Sequence, residues 1–149
     1  MATVLCCLIS KSCANTTTPP SGGLKDTLPP VLIAINPSNR TTEFPLEGGE
    51  IRLRFDEYTV VKDQKQIYVS PPGKRKPIVK SKGKDLVVTL RDTLIENTTY
   101  TIDFGNGLAD NNEGNIAPRI VYTFSTGTEI DSLYFTGTVY DCQKLNPVK

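Results

Sequence analysis

The residue types that do chemistry are thinly spread along this chain, and histidine is absent from all 149 residues. That removes Ser-His-Asp and Cys-His nucleophilic arrangements, imidazole acid–base work and every histidine-containing zinc site. Carboxylates, lysines, tyrosines and bare hydroxyls remain. Asp56 and Glu57 are adjacent. Neighbours on a strand point to opposite faces, so the two carboxylates do not converge. The run Asp110-Asn111-Asn112-Glu113-Gly114-Asn115 is rich in oxygen. As a calcium loop it misses its template, which puts glycine and glutamate where Asn115 and Val121 stand. Turn chemistry between two strands accounts for it. No metal and no cofactor is expected, and no catalytic residue is assigned.

Lys74, Arg75, Lys76, Lys80, Lys82 and Lys84 form a local basic stretch. Of these, Lys80, Lys82 and Lys84 are candidates for meeting an anionic ligand such as a phosphate-bearing glycolipid. The alternative is a solvated edge hairpin whose lysines block sheet-to-sheet association. The formal net charge is +1 and no aromatic residues interleave with the cations, so nucleic acid is not an expected partner. Tryptophan is absent, which leaves no strong platform for sugar stacking.

The four cysteines are Cys6, Cys7, Cys13 and Cys142, with none in the centre of the chain to staple a core. Val4-Leu5-Cys6-Cys7-Leu8-Ile9 is apolar but far short of the ~20 residues that span a bilayer as a helix. After Cys13 comes Ala14-Asn15-Thr16-Thr17-Thr18-Pro19-Pro20-Ser21-Gly22-Gly23, which has the composition of a tether. A cysteine between an apolar segment and a polar tether resembles a bacterial lipoprotein signal, in which the thiol is lipidated. Of Ser10, Lys11 and Ser12, only Ser12 fits the residues that precede such a cysteine. The alternative is an unstructured arm with incidental cysteines.

The elements that must position these residues are strands. Hydrophobic residues make up 38% and charged residues 22%, enough for one packed domain, and 11 Gly with 11 Pro favour frequent turns. Ile51, Leu53 and Phe55 alternate with Glu50, Arg52 and Arg54, so one face is buried and one wet. Tyr100, Ile102 and Phe104 alternate likewise, as do Ile120, Tyr122 and Phe124. Shorter apolar runs lie at residues 31–35 and 67–69. Residues 78–79 and 86–90 flank Lys82-Gly83-Lys84 as a hairpin. The expected fold is all-β: an immunoglobulin-like antiparallel β-sandwich with a disordered N-terminal tether. Its core includes Leu53, Phe55, Leu86, Val88, Ile102, Phe104 and Phe124. The expected organisation is a signal-like segment at 1–13, a tether at 14–29, the sandwich at 30–127, and a linker with one further strand at 128–149.

Leu94, six residues before a strand-opening Tyr100, has the spacing of a tyrosine corner, whose hydroxyl bonds to backbone upstream. Together with Asn36-Pro37, the stretch from Ile51 to Glu57, Asn97 to Phe104, Ala109-Asp110, Gly114-Asn115 and Phe124-Ser125-Thr126, this resembles the bacterial Ig-like domain first described in surface-layer proteins. Cys13-Ala14-Asn15, the Pro/Gly tether and Lys25-Asp26-Thr27 further resemble the start of Bacteroidota lipoproteins that carry this domain. The resemblance implies an outer-membrane location, with Cys13 as the lipid anchor. It also implies a non-catalytic spacer or protein-binding role. Glycan or glycolipid binding, and service as the accessory domain of an enzyme, are the competing roles. Asp26-Thr27-Leu28, Asp92-Thr93-Leu94 and Asp131-Ser132-Leu133 resemble the acceptor for O-glycosylation of exported Bacteroidota proteins, which makes Thr27, Thr93 and Ser132 candidate sites. Residues 134–141 alternate like the first strand of a truncated transthyretin-like domain. The alternative is one more strand on the Ig sheet.

Overall fold

The computed structural model describes residues 23–132 and 137–144. Cys13 and the signal-like segment lie outside the described residues, as does part of the strand expected over 134–141. Among the described residues nine strands form, in the order β1 (Leu32–Asn36), β2 (Glu50–Phe55), β3 (Thr59–Val61), β4 (Tyr68–Ser70), β5 (Ile78–Lys82), β6 (Asp85–Thr89), β7 (Thr99–Asp103), β8 (Leu108–Asp110) and β9 (Val121–Ser125). One 3-10 turn at Gln64–Gln66 interrupts them, with the Asp63 side chain accepting the Lys65 N–H.

One sheet has the order β1-β2-β6-β5 and a second has β4-β7-β9, with antiparallel pairing throughout. Residues 39–44 run beside β9 in the parallel sense and cover its edge. Arg40 and Phe44 donate to Thr123 and Ser125, and Ser125 donates to Thr41. In immunoglobulin terms these sheets are A-B-E-D and C-F-G, with the first strand switching sheets after β1. The two inner faces share one core, in which Ile51, Leu53, Phe55, Leu86 and Val88 of the first sheet meet Tyr100, Ile102, Tyr122 and Phe124 of the second. Every core residue expected from alternation is buried.

The alternation works because outward positions carry groups that water tolerates. On β2 the outward residues are Glu50, Arg52 and Arg54, and on β7 they are Thr99, Thr101 and Asp103. The β5–β6 hairpin turns on Gly83 and Lys84, with Lys82 paired to Asp85. Gly83 has φ +68°, which a two-residue turn with glycine first requires.

The β3–β8 ribbon carries no hydrophobic period in the sequence. Each strand has three residues, too few for alternation to register, and β8 is buried along its whole length. Gly107 admits the close approach: a Cβ there would lie 2.7 Å from the Asp63 carbonyl oxygen.

Candidate functional site

Two rows of cations cross the outer face of the four-stranded sheet. Register places Arg52 opposite Val87 and Val87 opposite Lys80. In the next row Arg54 faces Asp85 and Asp85 faces Lys82. Two strand spacings separate the β2 cations from the β5 lysines, about 10 Å, and the rows lie about 7 Å apart along the strands. Glu50 meets Arg52 at 3.0 Å and Asp85 meets Arg54 at 3.8 Å, so the face carries four cations and two anions. A shallow depression of about 280 Å³ sits among Arg52, Lys80, Lys82 and Val87.

Of the three lysines expected to act together, Lys80 and Lys82 share this face. Lys84 instead donates from Nζ to the Asp56 carbonyl at 2.6 Å, tying the hairpin turn to the end of β2. Its place is taken by Arg52 and Arg54, nearly thirty residues away in sequence. Outward position on β2 was legible from alternation, but the β2–β6–β5 strand order that joins them to the lysines was not.

A second concavity, about 410 Å³, lies between the loops that follow β4 and β6. Pro71, Pro72, Pro77, Leu90 and Ile95 give it apolar walls, and Arg75 crosses its rim. Arg75 donates from Nε to Asp92 Oδ1 at 2.7 Å and from its backbone N–H to Oδ2 at 2.8 Å. These bonds hold the Asp92 carboxyl below the usual carboxylate range. Beside it, Thr93 is exposed, but its hydroxyl donates to Glu47 Oε1 at 3.0 Å. Thr27 and Ser132 are also exposed.

The Asp110 loop is a closed turn. Asp110 Oδ1 accepts the N–H groups of Asn112, Glu113 and Gly114 at 2.8, 2.7 and 3.1 Å, and Oδ2 accepts that of Asn115 at 2.8 Å. Its lone pairs are committed to backbone, as turn chemistry predicts, which leaves it a poor ligand for calcium. Burial pushes this carboxyl up, but the four donors together outweigh burial and hold it below the usual range. Asn115 then donates to the carbonyls of Asp26 and Leu28 at 3.1 and 3.0 Å, docking the chain just before β1. Glu57 nearby is pushed up, first by burial and then by Asp110, Asp56, Asp26 and Glu113.

No curated protein matches this sequence. Among solved structures, similar folds occur in an L,D-transpeptidase from Mycobacterium smegmatis at 12% identity and TM-score 0.42. They occur also in the S-layer protein SbsC at 18% and 0.42, and in the N-terminal part of SbsC at 19% and 0.43. The similarity covers 67%, 82% and 82% of this chain but only 41%, 19% and 33% of those chains. The sequence profile of the bacterial Ig-like domain matches residues 26–126, from the segment docked by Asn115 to the end of β9, and the chain belongs to that family.

Proposed function

We propose that this chain is a non-catalytic Ig-like module of the bacterial cell envelope, anchored in the outer membrane through Cys13 and serving as a spacer that presents protein-binding surface. The observation that carries the spacer reading is where the chain enters and leaves the sandwich. Residues 26–31 are held at one end, by Asn115 and by Asp56 Oδ1, which accepts the Val31 N–H at 2.8 Å. Residues 126–131 leave at the opposite end, where Thr98 accepts from Thr126 and the Thr99 hydroxyl accepts the Asp131 N–H at 2.9 Å. A module threaded end to end adds its whole length to a chain.

Duplicating residues 26–131 in tandem and measuring the maximum dimension by small-angle X-ray scattering tests this. The dimension should grow by about one module length, the span of a five- to six-residue strand plus its loops, or roughly 30 Å. A tandem that folds back to the width of one module ends the spacer reading. The anchor is tested separately by detergent phase partition of the protein expressed in a bacterial host. Cys13→Ala should move the protein to the aqueous phase, and equal partition of the two variants removes the anchor.

The cationic sheet face supports a second reading, binding of an anionic glycan or glycolipid. Charge reversal at Lys80 and Lys82 should abolish retention on a phosphorylated glycan array, while reversal at Lys84 should not. Retention that survives the first pair removes this reading. Thr27, Thr93 and Ser132 are proposed as O-glycosylation sites on the same exported chain.

A further inference from the structure

We infer that β1 is a dimerisation edge: two copies of this chain pair their β1 strands antiparallel about a two-fold axis between Ile33 and Ala34. The four-stranded sheet treats its two edges unequally. On β5, Lys80 and Lys82 stand on the edge strand, the usual protection against adding another strand. On β1 no residue from Val31 to Asn36 is charged, and Val31 and Ile33 remain 57% and 62% exposed. Among the described residues β1 pairs with β2 alone, so the backbone groups on its other side face outward unpaired by any strand.

The register selects a second copy as the occupant. A bulge at Ile33 breaks the alternation of β1, so Leu32 and Ile35 both turn toward the core while Ile33 and Ala34 both turn out. Antiparallel pairing about the stated axis sets Leu32 against the partner copy's Ile35 and Ile33 against its Ala34. Val31 then meets Asn36. Each pair joins side chains on the same face, and no like charges meet. A one-residue slip sets a core-facing residue against an outward one. The result is an eight-stranded sheet whose two remaining edges are both β5. The lysines there stop further growth, so the assembly closes at two copies.

A strand pair of six residues is a small interface, so sedimentation equilibrium of the unlipidated 149-residue chain should cover about 10 μM to 1 mM. A monomer–dimer equilibrium should appear within that range. Ile33→Lys should weaken it at least about tenfold by placing charge on the edge. Its urea midpoint should stay unchanged, because the side chain is exposed. A monomer throughout the range, or association indifferent to Ile33→Lys, overturns the inference. Geometry is read by oxidative cross-linking in a background with Cys6, Cys7, Cys13 and Cys142 replaced by serine. Val31→Cys mixed with Asn36→Cys should give a covalent dimer, and neither variant should do so alone. Equal cross-linking by one variant alone overturns the antiparallel register.

Discussion

The Tyr100 hydroxyl accepts the backbone N–H of Ile95 at 3.0 Å, while the ring lies 5.4 Å from Phe124 in the core. This is the tyrosine corner that the Leu94-to-Tyr100 spacing predicts, and it closes the turn between β6 and β7. Tyr122, on the neighbouring strand, is as deeply buried, yet its hydroxyl has no hydrogen-bond partner among the described residues. Burial pushes its pKa up to about 12.

Two identical deletions of a hydroxyl should therefore differ in outcome. Tyr100→Phe should cost about 1 kcal/mol, the net worth of one hydrogen bond. Tyr122→Phe should be neutral or stabilising, since it removes an unpaired buried polar atom. Urea midpoints of the two variants, measured side by side, check this, and equal losses would contradict the assignment.

Phe124 joins three aromatic contacts, with Phe44 at 4.3 Å, Tyr100 at 5.4 Å and Tyr122 at 5.8 Å. Phe124→Ala should destabilise by about 3–5 kcal/mol, as a large core truncation does. Phe104→Ala, also at full burial, should fall in the same range of about 3–5 kcal/mol. A loss below about 1 kcal/mol for either would place that ring outside the core.

Acid should destabilise the fold through Asp110. Its folded pKa is depressed, so its contribution is present above the unfolded value of about 3.9 and is lost as pH falls through the lower folded value. Asp103, held down by Arg119, and Asp92, held down by Arg75, act in the same direction. Asp110→Asn should shrink the acid limb of the stability–pH curve without erasing it. Glu57 is raised, so its contribution is complete below about pH 4.3 and is lost as pH rises through the folded value. Glu57→Gln should raise the melting temperature at pH 7 and leave it nearly unchanged at pH 4.

The three tripeptides proposed as O-glycosylation acceptors should not be modified equally. Thr93 is exposed, but its hydroxyl is engaged by Glu47 and the adjacent Asp92 is held by Arg75. Thr27 and Ser132 lie outside the paired strands. Intact-mass analysis of protein expressed in a glycosylating Bacteroidota host should show loss of glycan in Thr27→Ala and Ser132→Ala before Thr93→Ala. Preferential loss at Thr93 would reverse that order.

The fold was legible because its signals are local. Alternation over Ile51–Leu53–Phe55 and Ile102–Phe104 names one buried face per strand, and the Lys82-Gly83-Lys84 turn sets a hairpin register. The candidate site was only half legible. Lys80 and Lys82 are neighbours on one strand, whereas Arg52 and Arg54 reach them only through β6, and nothing local encodes which strands are adjacent. Lys84 follows the turn glycine, and its amine is drawn to a backbone carbonyl that comes near only after folding. The β3–β8 ribbon is held by close backbone approach at Gly107, which leaves no hydrophobic period to read.

The parallel seam between residues 39–44 and β9 lies along the line of a pull applied to the two ends of the domain. Force applied through residues 26–31 draws the first segment one way, and force through residues 126–131 draws β9 the other. The seam then slides along its own direction. The four backbone hydrogen bonds of Arg40 to Thr123, Ser125 to Thr41, Phe44 to Ser125 and Glu43 to Gly127 are stretched together, not one after another. A load that reaches the seam, past the β1–β2 ladder that holds the first segment, would meet these four bonds as a set.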